Sequence, residues 1–306
     1  MIRRFFFNTL LHAGWLPVFR CGIAVLLLLT GLQLWPDFDL LYGPDSILDH
    51  RLLQLGENRP LAIVTGGPIG RWHLAAYLVC CALLALGIAT RLAALGLWLF
   101  HQWLFMAHPA FSYGFDYLAC SALFYCVWFP MGNPASRWAT PCLRVLQLHL
   151  CLIYFFGGLD KILGPTWRNG EALWKALHLP ELTGALRPEV AFLEPYPDMV
   201  AVLGWGVILL EIGYPLCIWL HATRRIWLWS IITMHAGIAV FLGLYHFSAL
   251  MILFNVSAFL LPYRRPPLPL EQIAIPIPKS ATALSRRADP SAGNGSTASK
   301  PNAQHV

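Results

Sequence analysis

Lys161 closes a run of six residues, Arg144, Gln147, Cys151, Tyr154, Gly158 and Lys161, in which each follows the last by three or four positions. On an α-helix that spacing places all six on one face. The other faces of the same stretch are Leu, Ile and Phe, so a polar and small stripe runs along a helix apolar enough to enter a bilayer. An amine there is costly unless it faces protein, water or a partner. Desolvation favours its neutral form, and a neutral amine is a base. The bland alternative is a lysine that snorkels to the membrane surface. Asp160 points about 100° away around the helix and need not pair with it.

Further polar residues interrupt apolar stretches: Arg20, Gln33, His101, Gln102, Asp116, His149, Glu211, His235, His246 and Asn255. Gln33, Gln102 and Asn255 read as hydrogen bonds between helices. Arg20 reads as a snorkelling or carboxylate-paired residue. Glu211, in LLEIGYPL, needs a cationic partner or a proton, and both a static pair and proton handling satisfy that need. His235, in TMHAG, has the titration range for proton transfer, with packing as the other reading. His101, His235, Asp116 and Glu211 contain the parts of a two-histidine, one-carboxylate centre. No HxxxH or ExxH puts two of them on one helix, so no metal is expected. Neither a nucleophile elbow, a glycine-rich phosphate loop nor a dinucleotide fingerprint is present.

The elements that carry these residues follow from composition. Of 306 residues, 58% are hydrophobic and 12% charged, with a mean hydropathy of +0.59. A soluble domain carries about twice that charged share. The expected fold class is all-α, a polytopic membrane protein of about eight transmembrane helices near 17–35, 73–90, 92–108, 113–129, 143–163, 199–220, 226–244 and 247–262. Thirteen Trp and ten Tyr suit the aromatic belts of a bilayer. The eight Cys lie in or beside apolar runs without a CxxC, which predicts packing rather than disulfides or zinc. Residues 1–15 read as an interfacial helix carrying Phe5, Phe6, Phe7, Leu10 and Leu11. They do not read as a cleaved signal, because Arg20 interrupts the apolar region that follows. Residues 16–263 form the membrane domain, and 264–306, rich in Pro, Ser, Ala and Asn, a disordered tail. Two loops, 37–55 and the amphipathic TWRNGEALWKAL, are expected to lie over one membrane face as a lid.

The net charge of +6 excludes a nucleic-acid partner, because the basic residues sit between spans and in the tail, where they meet membrane lipids. Arg3, Arg4, Arg91, Arg137, Arg144, Arg224, Arg225, Arg264 and Arg265 fall on one side if both termini are cytoplasmic. Asp116, Lys161 and His246 then approach the outer face, with His101, Glu211 and His235 near mid-depth, as a polar funnel opening outward.

The segment YFFGGLDKILGPTWRNGEAL, residues 154–173, resembles the Y-x-x-x-G-x-x-K…W-x-x-G segment of the vitamin K-dependent gamma-carboxylase family, which bacterial members share as the horizontally transferred transmembrane domain. LPVFRCGIAVLLLL, GIATRLAA and MHAGIAVFLGLYHFSALMIL are similar in order, so the likeness covers residues 15 to 262. The resemblance implies a bacterial inner-membrane protein in which Lys161 deprotonates a reduced, vitamin K-like quinone. From the polar stripe and that segment together, Tyr154, Asp116 and His235 are expected to support Lys161, and Trp167, Gly170, Gln147, His149, Glu211 and His101 to bind substrate. The family's carboxylases have a histidine entering the fourth span, where this sequence has Asp116. They also have a lumenal domain after the last span, where this sequence has the tail. The expectation is therefore lysine-base chemistry, of the gamma-carboxylase or epoxidase kind, on a quinol or lipid-borne substrate without processive carboxylation. A non-enzymatic membrane partner in maturation of, or immunity to, a secreted peptide is the alternative. A fluorescent reporter fused after residue 265 should fold on the cytoplasmic side, and alkaline phosphatase fused there should be inactive; the reverse pattern refutes the orientation.

Overall fold

The computed structural model describes residue 6 and residues 14–43, 70–106, 112–133, 135–179, 190 and 193–263. These residues form helices and turns, with no strand among them. The first helix, α1, spans Trp15–Tyr42, followed by α2 (Arg71–Leu86), α3 (Thr90–Leu104) and α4 (Gly114–Trp128). The stripe-bearing α5 spans Ala139–Leu163. Two short helices follow, α6 (Pro165–Arg168) and α7 (Glu171–His178). The last three are α8 (Pro197–Cys217), α9 (Arg224–Leu242) and α10 (Tyr245–Asn255).

Among the described residues, five helices are long and apolar enough to cross a bilayer: α1, α5, Asp198–Cys217 of α8, α9, and Tyr245–Tyr263. In the last, α10 runs on through a π-helical turn, Val256–Leu260, and a 3₁₀ turn, Leu261–Tyr263. Helices α2, α3 and α4 have 16, 15 and 15 residues, short of the ~20 that a crossing needs. Their ends have local causes. Gly87 (φ 80°) and Ala89 (φ 43°) take left-handed conformations between α2 and α3, where a right-handed helix cannot continue. Phe129, ahead of Pro130, is extended and ends α4, as the residue before a proline tends to.

Helix α1 is longer than the expected span, because residues 37–42 continue it rather than opening a loop. Pro36 lies inside it. Two ties hold the extra turn: Arg71 Nη2 lies 2.7 Å from Asp39 Oδ2, and the Tyr42 hydroxyl donates to the Leu104 carbonyl. TWRNGEALWKAL is helical as well, as α6 and α7. The expected interfacial segment 1–15 (apart from Phe6, Gly14 and Trp15), the lid residues 44–55 and the tail 264–306 lie outside the described residues.

In the bundle, α1 packs on α2, α2 on α3 and α3 on α4, while α5 pairs with α8 and α9 with α10. Helix α10 joins the two sets by packing on α1 and α4. Polarity is arranged inward. His101, Asp116, Arg144, Gln147, Glu211, His235 and Asn255 are buried, whereas Leu86 and Leu216 are 72% and 73% exposed. Such an arrangement is stable where lipid, not water, surrounds the outer face.

Helices α5 and α8 pack closely against each other. A Cβ on Gly158 would lie 2.7 Å from Ile212 Cγ1 and 2.9 Å from the Ile212 backbone nitrogen. Only a glycine lets the backbones approach this far. Helix α8 also contains Pro215. Gly158→Val should cost about 1–3 kcal/mol through overpacking, read as easier unfolding in detergent. Gly157→Ala, whose Cβ would meet Glu211 Oε2 at an ordinary 3.4 Å, should cost less; equal losses refute the close-approach argument.

Candidate functional site

The stripe read from sequence is the buried face of α5. Arg144, Gln147, Cys151, Tyr154 and Gly158 are all buried. Lys161 lies in the last turn, with its side chain 20% exposed. Helix α8 answers with a face of its own at the same periodicity, Gly204, Ile208, Glu211 and Tyr214, all buried. Where the two faces meet, Lys161 Nζ lies 2.8 Å from Glu211 Oε2 and 3.1 Å from Oε1. The Glu211 side chain is 10% exposed, so the pair is shielded yet reachable from one end.

Trp167 covers that end, its ring centroid 5.1 Å from Lys161 Nζ, a cation–π distance. Its place is set by glycines on both sides. Gly170 has φ 83°, and a Cβ there would lie 2.7 Å from the Ala201 backbone nitrogen. On α8, a Cβ on Gly204 would lie 2.6 Å from the Trp167 carbonyl oxygen. The α6 turn therefore rests backbone to backbone on α8. Helix α7 then buries Leu177 beside Val190, Leu193 and Val200. Its outer side carries Lys175 Nζ 2.6 Å from Glu171 Oε1. That hydrogen bond and charge hold the Glu171 carboxyl below its ordinary range.

Two turns deeper on α5, about 10 Å along the axis, Tyr154 opens a second layer. Its hydroxyl lies 2.8 Å from His235 Nε2 on α9. Asn255 Nδ2 on α10 donates to the same hydroxyl at 2.7 Å. The Tyr214 hydroxyl on α8 donates to Asn255 Oδ1 at 2.7 Å, and the rings of Tyr154 and Tyr214 are 4.2 Å apart. Four helices thus meet through four side chains. Glu211 and Tyr214, three apart on α8, link the layers.

The remaining candidates sit elsewhere. Asp116 accepts the Tyr113 N–H at 2.9 Å at the start of α4, and its Oδ1 lies 3.4 Å from His101 Nε2. His101 Nδ1 in turn lies 3.1 Å from the Tyr77 hydroxyl. This buried Tyr77–His101–Asp116 group belongs to α2, α3 and α4. His149 meets the Tyr125 hydroxyl at 2.7 Å. Gln147 donates to the Ala258 carbonyl at 2.6 Å and accepts from Arg144 at 2.7 Å. The geometry brings together Lys161, Glu211, Trp167 and Gly170, with Tyr154 and His235 beneath; Asp116, His101, His149 and Gln147 have other partners.

Tyr214 had no place in the sequence reading, although its spacing from Glu211 was a signal. Asn255 does bond across helices, but its two Tyr partners were not foreseen. Arg20 donates to the Leu84 carbonyl at 2.8 Å. Among the described residues, no three His, Cys, Asp or Glu side chains converge as a metal site would require. A cleft of about 470 Å³ lies between the α2–α3 and α4–α5 turns, lined in part by Thr90, Arg91, Asn133 and Ser136; no candidate residue borders it.

No protein-family model, curated protein or solved structure matches the chain. What the site can do is therefore argued from its geometry. An amine and a carboxylate in contact in a dry setting can exchange a proton, since the ion pair loses much of its advantage when water is removed. The aromatic face of Trp167 suits a flat, apolar molecule.

Removing one member of the pair strands the other's charge. Glu211→Gln should therefore cost about 3 kcal/mol, and Lys161→Met/Glu211→Leu should return to within about 1 kcal/mol of wild type. Unfolding in detergent measures both, and a double variant as unstable as the single one refutes the pairing argument.

Proposed function

We propose that this chain is an integral inner-membrane protein of eight spans, with both termini cytoplasmic, whose Lys161–Glu211 pair performs acid–base chemistry on a lipid-soluble quinol or other lipid-borne substrate. The observation that carries this reading is the 2.8 Å contact between Lys161 Nζ and Glu211 Oε2 on a helix able to cross a bilayer. Glu211 takes the Lys161 proton, and the neutral amine then accepts the proton of a quinol hydroxyl. The ammonium that results stands beside the quinolate and stabilises it. Trp167 offers a stacking face for the ring. Helices α2, α3 and α4 complete the eight spans, as short helices buried on one side can where the bilayer thins.

The resemblance of residues 154–173 to the vitamin K-dependent gamma-carboxylase family is what names a quinol rather than another weak acid. The oxygen and carbon dioxide steps of that family belong to this proposal only as reactants to be supplied in the assay. Wild-type protein in proteoliposomes, given reduced quinones, oxygen and bicarbonate, should consume the quinol. Lys161→Ala should slow that consumption by about 10²–10⁴-fold. Equal turnover in both proteins, or none in either, refutes the catalytic reading. Recovery of a secreted peptide by cross-linking from membranes would then favour the non-enzymatic partner role.

A further inference from the structure

The hydrogen bonds around Tyr154 fix more than positions; they fix protons. Asn255 Nδ2 lies 2.9 Å from the Met251 carbonyl, which can only accept, so this end of the amide must be the NH₂ group. Its second hydrogen goes to the Tyr154 hydroxyl, and its oxygen takes the Tyr214 hydroxyl proton. Tyr154 Oη is therefore an acceptor from Asn255 and keeps one proton to give; among the described residues His235 Nε2 is the acceptor within its reach, so the O–H donates there. A nitrogen that accepts carries no proton, so in neutral imidazole the proton resides on Nδ1. Yet Nδ1 of His235 has no hydrogen-bond partner among the described residues, although only 3% of the residue is exposed. A buried donor left unpaired in a network that satisfies every other member calls for an acceptor.

We propose that Tyr154 and Asn255 lock His235 in its Nδ1–H tautomer, and that this N–H is the hydrogen-bond donor for a carbonyl oxygen of a lipid-soluble ligand that reaches the Nδ1 edge of the ring. Tyr154 and Asn255 are positioning residues here; His235 is the binding residue. The acceptor is a neutral carbonyl rather than a phosphate or carboxylate, because a neutral imidazole offers no counter-charge and Lys161 is already matched by Glu211. The ring's surroundings are apolar: Phe247 stands edge-on to His235 at 5.8 Å, and the Tyr154 ring is 6.0 Å away. The choice of a quinone-like ligand rests on the acid–base reading given above, whereas the tautomer stands on the hydrogen bonds alone.

The full chain, labelled with nitrogen-15 histidine and placed in phosphatidylcholine nanodiscs, tests both parts by NMR. The His235 signals are assigned by their loss in His235→Gln. Expected at neutral pH is a single tautomer, with Nδ1 protonated and Nε2 bare. An Nε2–H tautomer or an imidazolium overturns the proposal. Tyr154→Phe should turn the single tautomer into a mixture, and Asn255→Leu should do the same if the first variant does not fold. A tautomer unchanged in a folded variant overturns the lock. The ligand arm compares duroquinone with durene, which has the same shape without carbonyls. Duroquinone should move the Nδ1 proton downfield and durene should not. Equal responses, or none, overturn the carbonyl assignment and leave a buried water as the partner. A quinone-dependent shift in protein that turns over no quinol would retain this site while removing the catalytic reading, so the two fail separately.

Discussion

An ammonium and a carboxylate 2.8 Å apart, on two helices whose far sides are apolar, set the terms for the rest of this bundle. Neither charge is tolerable alone in such surroundings, and their attraction offsets desolvation only if the distance is kept short. The distance is kept by backbone, not by the charges. Gly158 removes the one side chain that would hold α5 away from α8, and Gly170 and Gly204 let the α6 turn settle onto α8 from the other side. The pair is thus held by a contact between main chains, which is stiff in a way that two long side chains are not.

Helix α5 works as a scaffold with polar levels. Arg144 and Gln147 meet the π-helical and 3₁₀ turns that follow α10 at one end, Tyr154 meets α8, α9 and α10 in the middle, and Lys161 meets α8 at the other. From Arg144 to Lys161 is about 25 Å along the axis. Each level finds partners at its own height, which explains how one face of a single helix carries so many buried polar groups. The His101–Asp116 group is a separate solution to the same problem on α2, α3 and α4.

The stripe on α5 was legible because helical periodicity is a local property. Three-four spacing between Arg144 and Lys161 needs no knowledge of the fold, and the buried face matches it. The identity of the partner was not legible. Glu211 is 50 positions from Lys161 in the chain, and sequence could say only that it needed a cation or a proton. Asp116 was expected to support Lys161, but as the third residue of α4 it caps its own helix and faces His101, a role its position near Gly114 could have signalled. The first span was misjudged in length because tertiary ties override a local signal: it was expected to stop at Trp35, and the ties of Asp39 and Tyr42 carry the helix on past Pro36. Asn255 read as generic helix–helix glue. Its role depends on two tyrosines that are remote in sequence, and on one carbonyl that decides which way the amide faces.

Pro215 lies one turn beyond Glu211 on α8, and its ring nitrogen has no hydrogen to give. In a regular helix that hydrogen would go to the carbonyl four residues earlier, which is the carbonyl of Glu211 itself. The residue that supplies the carboxylate to Lys161 therefore also presents a main-chain oxygen that cannot receive its usual helical bond. Beside it, the Leu210 carbonyl receives Trp227 Nε1 from α9 at 2.9 Å, so acceptors on this side of α8 already recruit donors from outside the helix. A water or a ligand hydroxyl arriving at the pair would find an acceptor there whose direction is set by the backbone and which no change of side chain at position 211 could abolish.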